Sequence, residues 1–153
     1  MTLQERRVTE PTGTAIITVD DNGENAIVMD PGANRLLEFL SAEESATIAA
    51  ADVLVVQLET PMSAVIGAAH AARAASTTVV LNASPIQPLP AELLACVDVL
   101  IVNEHEARHL AAHTRSIQTQ HGDEHELASA LSEQGPAVIL TLGPRGAIRL
   151  CAR

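Results

Sequence analysis

The chain has 153 residues, 47% of them hydrophobic, a length and composition that fit one domain with an aliphatic core. Its formal net charge of −10 argues against nucleic acid or an anionic membrane as partner, because both bind clustered Lys and Arg, and it indicates a small-molecule ligand. Cys96 and Cys151 form neither a disulfide framework nor a zinc pattern. No stretch approaches the roughly 20 apolar residues of a membrane span, so a cytoplasmic protein is expected.

The first predicted element is a β-hairpin. Two β-prone runs, 14–19 and 26–29, are separated by DDNGEN, in which Asn22-Gly23 tolerates the positive φ of a tight turn. Further on, Ser41 and Glu44 have the spacing of a capping box, because the serine can accept from the helix while the glutamate reaches back to it. This spacing predicts a short helix that ends near residue 50.

Strands and helices alternate from residue 53 onward. The predicted strands are 53–58, 78–81, 99–102 and 137–142, and the predicted helices are 60–75, 91–95, 104–112 and 123–134. Because these strands are continuous Val, Ile and Leu runs, they predict a mostly parallel sheet buried on both faces. The expected organisation is a single α/β domain over 1–153, with the hairpin and its return at about 12–34 and the core at 35–153.

Polar residues follow every one of these strands. Glu59 follows the first, Asn82 the second, Asn103 and Glu106 the third, and the TLGPRG segment closes the fourth. Ligands of open parallel sheets bind beyond the carboxyl ends of the strands. Carboxylates and carboxamides at that edge suit sugar hydroxyls, phosphate oxygens and a water-bound Mg²⁺. The alternative is that such residues cap the following helices, since Thr60 and Asn103 stand at N-cap positions.

Other kinds of ligand site are less favoured by the sequence. His105, His109 and His113 recur at a spacing of four residues and share one face of a predicted helix, which could hold a divalent metal. A solvated polar face is the preferred interpretation. Neither a GxGxxG fingerprint nor a GxxxxGK[ST] loop occurs in the sequence, which argues against a dinucleotide-binding domain and against a P-loop enzyme.

Five segments occur in a recognisable order and spacing: GTAIITVDDNGENAIVMDPGAN, VVQLETP, VVLNASP, LPAELLACVDVLIVNEHEA and VILTLGPRGA. They resemble the PfkB carbohydrate kinase family, and its ribokinase subgroup in particular. The resemblance covers nearly the whole chain. Its most specific parts are Asn103-x-x-Glu106 and the turn from Thr141 to Gly146, which follows a buried strand.

The resemblance implies a ribokinase-like three-layer α/β/α core with part of a small β lid. It implies transfer of the ATP γ-phosphoryl group to the hydroxymethyl group of ribose or a similar pentose, with Glu59 on the sugar. It places Glu106 in the Mg²⁺ network, through water. The lid hairpin of this family covers the sugar and often forms a homodimer contact. The implied nucleotide-binding residues are Asn103, Thr141, Leu142, Gly143, Pro144, Arg145 and Gly146.

The resemblance also implies segments with no counterpart in this sequence. These are two sugar-binding segments before the hairpin and, after the TLGPRG turn, a DTxGAGD segment whose last Asp is the catalytic base and beside which a monovalent-cation loop lies. The chain alone is therefore expected to bind nucleotide weakly and to have negligible kinase activity. A non-catalytic sugar- or nucleotide-binding module, or a dimerising remnant, is the alternative. Either is expected to expose a sheet edge and an apolar face, which promote aggregation.

Overall fold

The computed structural model describes residues 5–113, 123–133 and 135–151. They form a two-stranded sheet and a five-stranded sheet with associated helices. None of the helices in these ranges is long and apolar enough to cross a membrane. Short 3-10 turns lie at Ala33–Leu36 and Gly143–Arg145. The strands and helices are β1 (Thr12–Val19), β2 (Asn25–Gly32), α1 (Ala42–Ala49), β3 (Val53–Val56), α2 (Met62–Ala74), β4 (Thr78–Asn82), α3 (Ala91–Leu94), β5 (Val99–Asn103), α4 (Glu104–His113), α5 (Glu124–Ser132), β6 (Ala137–Thr141) and β7 (Ala147–Leu150).

Strands β1 and β2 form the predicted hairpin, and one carboxylate closes its loop. Asp20 accepts hydrogen bonds from the backbone N–H groups of Glu24 and Asn22, each at 2.9 Å. These bonds hold the pKa of Asp20 below its usual value, because they favour the charged carboxylate. Of the loop residues only Gly23 has a positive φ, at 85°. The loop is therefore wider than a two-residue turn, and Asp20 rather than Asn22 organises it.

The base of the hairpin is a close approach of two backbone segments. Gly32 has φ of 50°, and a Cβ there would lie 2.5 Å from the carbonyl oxygen of Pro11 and 2.8 Å from the nitrogen of Gly13. A Cβ at Gly13 would lie 2.8 Å from the carbonyl oxygen of Pro31. The N–H of Ala33 donates to the carbonyl of Pro11 at 2.8 Å. Two glycines are needed here because no side chain fits between the crossing segments.

The larger sheet has the strand order β3-β4-β5-β6-β7. The first four strands run parallel, as predicted, and β7 runs antiparallel to β6. The sequence did not predict β7, because four residues with one charged member give a weak alternation signal. The pairing places Asn103 beside Thr141, and Thr141 beside Ala147, at one end of the sheet.

One face of this sheet carries the core. Alternate strand residues such as Val79, Leu100 and Leu140 are fully buried there and form one cluster with the buried residues of α2, α3, α4 and α5. Ile48 of α1 packs against the same cluster. Burial of aliphatic side chains stabilises this face at about 25 cal/mol per Å² removed from water. All five helices that the structure describes thus contribute to the core on one face of the sheet.

The opposite face is open over the described residues. Val53 is 49% exposed and Val55 is 69% exposed on the edge strand β3, while Val80, Ile101 and Ile139 are only partly buried. The mostly parallel α/β fold is confirmed. The second helical layer of a three-layer core is not among the described residues, so the expectation of a sheet buried on both faces is not met within them. The uncovered edge and apolar face were expected from the sequence.

Candidate functional site

A cavity of about 330 Å³ lies between the base of the hairpin and the carboxyl end of β3. Such concave sites with a few convergent polar groups are the usual place for small ligands. The hairpin therefore covers the strand end that the sequence assigned to a ligand. The cavity is lined by Gly13, Thr14, Ala15, Met29, Asp30, Pro31, Asn34, Leu58, Glu59 and Pro85.

The segment that presents Glu59 is held by two hydrogen bonds from distant parts of the chain. The N–H of Leu58 donates to the carbonyl of Ser84 at 2.9 Å, and the side-chain amide of Gln87 donates to the carbonyl of Leu58 at 3.0 Å. Strand β3 stops at Val56 rather than at Leu58 because these bonds replace the sheet pairing. No group among the described residues bonds the exposed Glu59 carboxylate. It is free to accept hydrogen bonds from a ligand.

Asp30 and Asn34 are polar cavity residues that sequence reasoning did not assign to the site. Asp30 lies at the end of β2, where one of its oxygens accepts from the N–H of Gly32 at 3.1 Å. Asn34 lies in the 3-10 turn that follows. Both belong to the DPGAN segment, which the sequence analysis treated only as the return of the hairpin. Polar residues on both sides of a Pro-Gly pair were the available signal, but their position over Glu59 depends on how the hairpin folds back.

Asn103 and Glu106 begin α4 by capping each other. The N–H of Glu106 donates to Oδ1 of Asn103, and the N–H of Asn103 donates to Oε2 of Glu106, each at 2.8 Å. The capping alternative is therefore correct for Asn103 and wrong for Thr60, because the N-cap residue of α2 is Pro61 and no side chain caps that helix. The cap uses one atom of each side chain. The amide nitrogen of Asn103 and Oε1 of Glu106 make no hydrogen bond to any residue that the structure describes.

The free oxygen of Glu106 reaches solvent. Glu106 is 6% exposed, yet no buried side-chain oxygen or nitrogen in the described ranges lacks a partner, so Oε1 is not sealed in the core. The described residues contain no group of three or more His, Cys, Asp or Glu that could hold a metal ion. A single accessible carboxylate oxygen fits Mg²⁺ bound through water, because this ion keeps much of its hydration shell. It does not fit a cage of protein ligands.

The TLGPRG turn is a compact backbone loop beside Asn103. The N–H of Leu142 donates to the carbonyl of Gly146 at 2.8 Å, and the N–H of Gly146 donates to the carbonyl of Gly143 at 3.1 Å. Both glycines have a positive φ, 56° at Gly143 and 92° at Gly146. The hydroxyl of Thr141 donates to the carbonyl of Val102 at 3.3 Å, which joins the turn to β5. Pro144 and both glycines are exposed, so backbone is presented to solvent.

Arg145 points from this turn to the start of two helices. Its Nη2 donates to Glu104 at 2.8 Å, and its Nη1 donates to Glu124 at 3.0 Å. The two carboxylates raise the pKa of the Arg145 guanidinium. The pKa of Glu124 lies below its usual value, first because its own backbone N–H bonds its carboxylate and then because Arg145 does.

The structure places the predicted site residues in two groups along one edge of the sheet. Asn103, Glu106 and the turn lie together at β5 and β6, whereas Glu59 follows β3, with Asn82 on the intervening strand. Neighbouring strands are about 4.8 Å apart, so β3 and β5 are separated by roughly 10 Å. The described histidines belong to no metal-binding group. The side chain of His113 lies outside the described residues.

Carboxylates under a small β-hairpin at one end of a mostly parallel sheet, with a glycine-flanked turn two or three strands away, form a ligand site of the open α/β class and match the resemblance to carbohydrate kinases drawn from the sequence. Comparison with known families agrees. Residues 2–150 match the model described as pfkB family carbohydrate kinase, and the chain belongs to this family.

Individual relatives are ribokinases. The ribokinase of Haemophilus influenzae is 39% identical over 142 residues, which are 90% of this chain and 44% of that protein. The ribokinase of Staphylococcus aureus is 36% identical over 138 residues, 88% of this chain and 44% of that protein. The solved ribokinase of Arabidopsis thaliana, complexed with ribose and ATP, superimposes with a TM-score of 0.78 at 27% identity, covering 94% of this chain and 46% of that one. The chain spans less than half the length of these relatives.

Proposed function

We propose that this chain is part of a sugar kinase that transfers the γ-phosphoryl group of ATP to a hydroxymethyl group of ribose or a similar pentose. One observation carries the proposal: the hairpin closes a cavity over Glu59 at the same sheet edge that presents Asn103 and the TLGPRG turn. The ribokinase relatives support the substrate, and the complexed Arabidopsis structure supports ribose and ATP as ligands of this class of protein.

The sugar lies in the hairpin cavity. The free carboxylate of Glu59 accepts hydrogen bonds from sugar hydroxyls, and the remaining oxygen of Asp30 and the amide of Asn34 approach from the hairpin side. Two carboxylates facing vicinal hydroxyls favour a polyol over an apolar ligand. Closure of the hairpin over the sugar excludes water, which disfavours hydrolysis of ATP.

The nucleotide lies along the ends of β5 and β6. The free amide nitrogen of Asn103 donates to phosphate oxygens, while the exposed backbone at Gly143 and Gly146 allows close approach of the ligand. Mg²⁺ held there would supply neutralisation of part of the phosphate charge. Oε1 of Glu106 hydrogen-bonds the hydration shell of that ion.

By themselves, these 153 residues bind the sugar and the nucleotide but do not transfer the phosphoryl group. The described carboxylates of the cavity, Asp30 and Glu59, are suited to hydroxyl recognition, and the relatives match this chain over only 44% of their length. Phosphoryl transfer needs a positioned base and stabilisation of the phosphate charge at the same time. The remainder of a relative's length is where we place the missing groups.

A dimerising module is the second candidate, favoured by the surface of the hairpin. Its two faces expose large apolar side chains that neither the core nor the cavity covers, and exposed patches of this kind mark interaction sites. A homodimer through the hairpin buries them. They are Ile16, Ile17, Val19, Ile27 and Val28, with exposed fractions of 63%, 59%, 63%, 52% and 68%.

Calorimetric titration of the 153-residue polypeptide with D-ribose, MgATP and MgADP tests the proposal, together with a coupled kinase assay. We expect binding of ribose and magnesium-dependent binding of nucleotide, without turnover. Glu59→Gln should weaken ribose binding and leave nucleotide binding unchanged. Turnover by the polypeptide contradicts its inactivity, and absence of all binding contradicts the kinase site. A dimer by light scattering that Ile16→Thr/Val28→Thr dissociates supports the second candidate.

A further inference from the structure

Arg145 links the TLGPRG turn to the first residues of two helices. We propose that Arg145 is a positioning residue, which restrains this turn through Glu104 and Glu124 and thereby sets the affinity for Mg-nucleotide, rather than a residue that binds phosphate itself. The inference rests on the proposed nucleotide site. It refines the family resemblance, which counted Arg145 among the nucleotide-binding residues of the turn without giving its side chain a separate role.

The contacts occupy both terminal nitrogens of the guanidinium. Nη2 donates to Glu104 at 2.8 Å and Nη1 donates to Glu124 at 3.0 Å. Glu104 is the first residue of α4, and Glu124 is the first residue of α5. The two bonds cross 41 and 21 residues of sequence. One side chain therefore joins three segments that are far apart in the sequence.

The electrostatics of this cluster disfavour a phosphate on Arg145. Arg145, Glu104 and Glu124 together carry a net charge of −1, and an approaching phosphate would meet both carboxylates. Arg108 adds a positive charge near Glu124, where it helps to lower the pKa of that carboxyl, but it makes neither of these two bonds. The carboxylates are also favourably placed at helix N-termini, which stabilise negative charge. The fork of a guanidinium suits two acceptors at once, whereas a lysine ammonium lacks this fixed geometry.

The two glycines of the turn explain why a restraint on its backbone matters. Gly143 and Gly146 both adopt positive φ, and glycine loses more conformational freedom on ordering than any other residue. Inside the turn the backbone makes three bonds, among them the N–H of Arg145 to the carbonyl of Leu142 at 3.1 Å. Within the described residues, the Arg145 side chain is the group through which the exposed part of the turn, 143–146, hydrogen-bonds to other elements.

The restraint bears on nucleotide binding through Glu104. Glu104 stands between Asn103 and Glu106, whose free atoms are assigned to phosphate and to hydrated Mg²⁺. The bond from Arg145 to Glu104 therefore fixes the distance between the two sides of the nucleotide site. Each ion pair is partly exposed and would stabilise the fold little by itself, so its loss should alter the site more than the overall stability.

Hydrogen exchange and nucleotide titration of Arg145→Gln test the proposal, with Arg73→Gln as matched control. Arg73 makes an exposed ion pair with Asp98 at 3.5 Å, away from the turn. For Arg145→Gln we expect faster exchange of the amides at 142–147 without ligand, and MgADP binding weakened roughly three- to tenfold. The melting temperature should stay close to that of the wild type. Arg73→Gln should change neither exchange nor affinity.

Glu124→Gln separates positioning from direct binding. A positioning Arg145 loses one anchor in this variant, so MgADP binding should weaken. An Arg145 that bound phosphate would be freed from a competing carboxylate, so MgADP binding should tighten. Tighter binding, or unchanged exchange in Arg145→Gln, overturns the proposal. If the wild type binds no MgADP, the proposed nucleotide site itself is wrong. If the wild type binds MgADP and Arg145→Gln binds it equally well, the nucleotide site stands and the positioning role of Arg145 is wrong.

Discussion

Asn103 and Glu106 each accept a hydrogen bond from the other's backbone N–H at 2.8 Å. This pair starts α4, and each of the two side chains leaves one polar atom without a partner among the described residues. The capping role and the proposed ligand role therefore do not compete, because they use different atoms. Substitutions that remove one role and preserve the other can separate them.

Glu106→Gln should preserve the helix and impair the metal-dependent part of nucleotide binding. Glutamine still offers an oxygen to the N–H of Asn103 but carries no charge toward hydrated Mg²⁺. We expect the free energy of unfolding to change little and the apparent Mg²⁺ affinity of the nucleotide complex to fall by roughly tenfold or more, as for other residues that act through metal-bound water. Calorimetric titration at varied Mg²⁺ measures this.

Glu106→Ala should add a loss of stability, and Glu126 provides the control. Removal of a capping partner costs about 1 kcal/mol of unfolding free energy. Glu126 forms the same capping box with Asp123 at the start of α5, with bonds of 2.9 and 3.3 Å. Glu126→Ala should therefore lose similar stability in urea unfolding and keep its nucleotide affinity. Equal losses of affinity in both alanine variants would show that Glu106 acts only through the helix.

Gly32→Ala should open the base of the hairpin. The added Cβ would meet the carbonyl oxygen of Pro11 at 2.5 Å and the backbone of Gly13 at 2.8 Å, in addition to the strain of a φ of 50°. We expect the hairpin to lose about 2 kcal/mol or more of local stability. Gly23→Ala, where a Cβ meets nothing within 4 Å, should cost only the backbone strain, about 1 kcal/mol.

Hydrogen exchange of the hairpin amides measures both glycine variants, because the hairpin is a separate small sheet and can open without global unfolding. Gly32→Ala should also weaken ribose binding, since residues on both sides of Gly32 line the cavity. Equal protection in the two variants would show that the crossing at Gly32 is not tight.

The hairpin loop should loosen in acid. The folded pKa of Asp20 lies below its unfolded value, because the N–H groups of Glu24 and Asn22 bond the carboxylate. A lowered folded pKa means that the stabilisation is present above the unfolded pKa and is lost as the pH falls through the folded pKa. An NMR titration should show the Asp20 carboxyl and the Asn22 and Glu24 amides titrating together. Asp20→Asn should abolish that shared transition, and a normal Asp20 pKa would contradict the loop geometry.

Val53→Thr/Val55→Thr should reduce self-association without unfolding the chain. Both valines are exposed on the edge strand β3, at 49% and 69%, and exposed apolar edges favour aggregation. Threonine keeps the β-branched shape that suits a strand. Sedimentation velocity should show a smaller associated fraction. The control Val79→Thr, at a fully buried position of β4, should cost about 1–3 kcal/mol, because it buries a hydroxyl. Unchanged association in the double variant would exclude this edge as the cause.

Local signals in the sequence predicted the elements well. The Ser41 and Glu44 spacing gave the capping box that begins α1, with bonds of 3.1 and 2.6 Å. The aliphatic runs predicted β4 and β5 almost to the residue, and the polar residues after the strands lie along one edge of the sheet, as predicted. These signals work because capping, strand propensity and turn chemistry depend on residues only a few positions apart.

Features that depend on distant contacts were not predicted. Strand β3 ends early because Leu58 bonds to Ser84. Asp30 and Asn34 enter the cavity only because the hairpin folds back over Glu59. In each case the partner lies outside the sequence window in which propensity or periodicity can be read.

The sequence by itself determined the α/β class, the order of strands and helices, and the edge of the sheet that carries the polar residues. Only the tertiary structure decided which atoms of those residues remain free for a ligand. Asn103 and Glu106 each commit one atom to a cap, and Arg145 commits both terminal nitrogens to carboxylates 41 and 21 residues away. The physical reason is that a polar group's partners are set by the packing of distant segments, whereas its type and position are written in the chain.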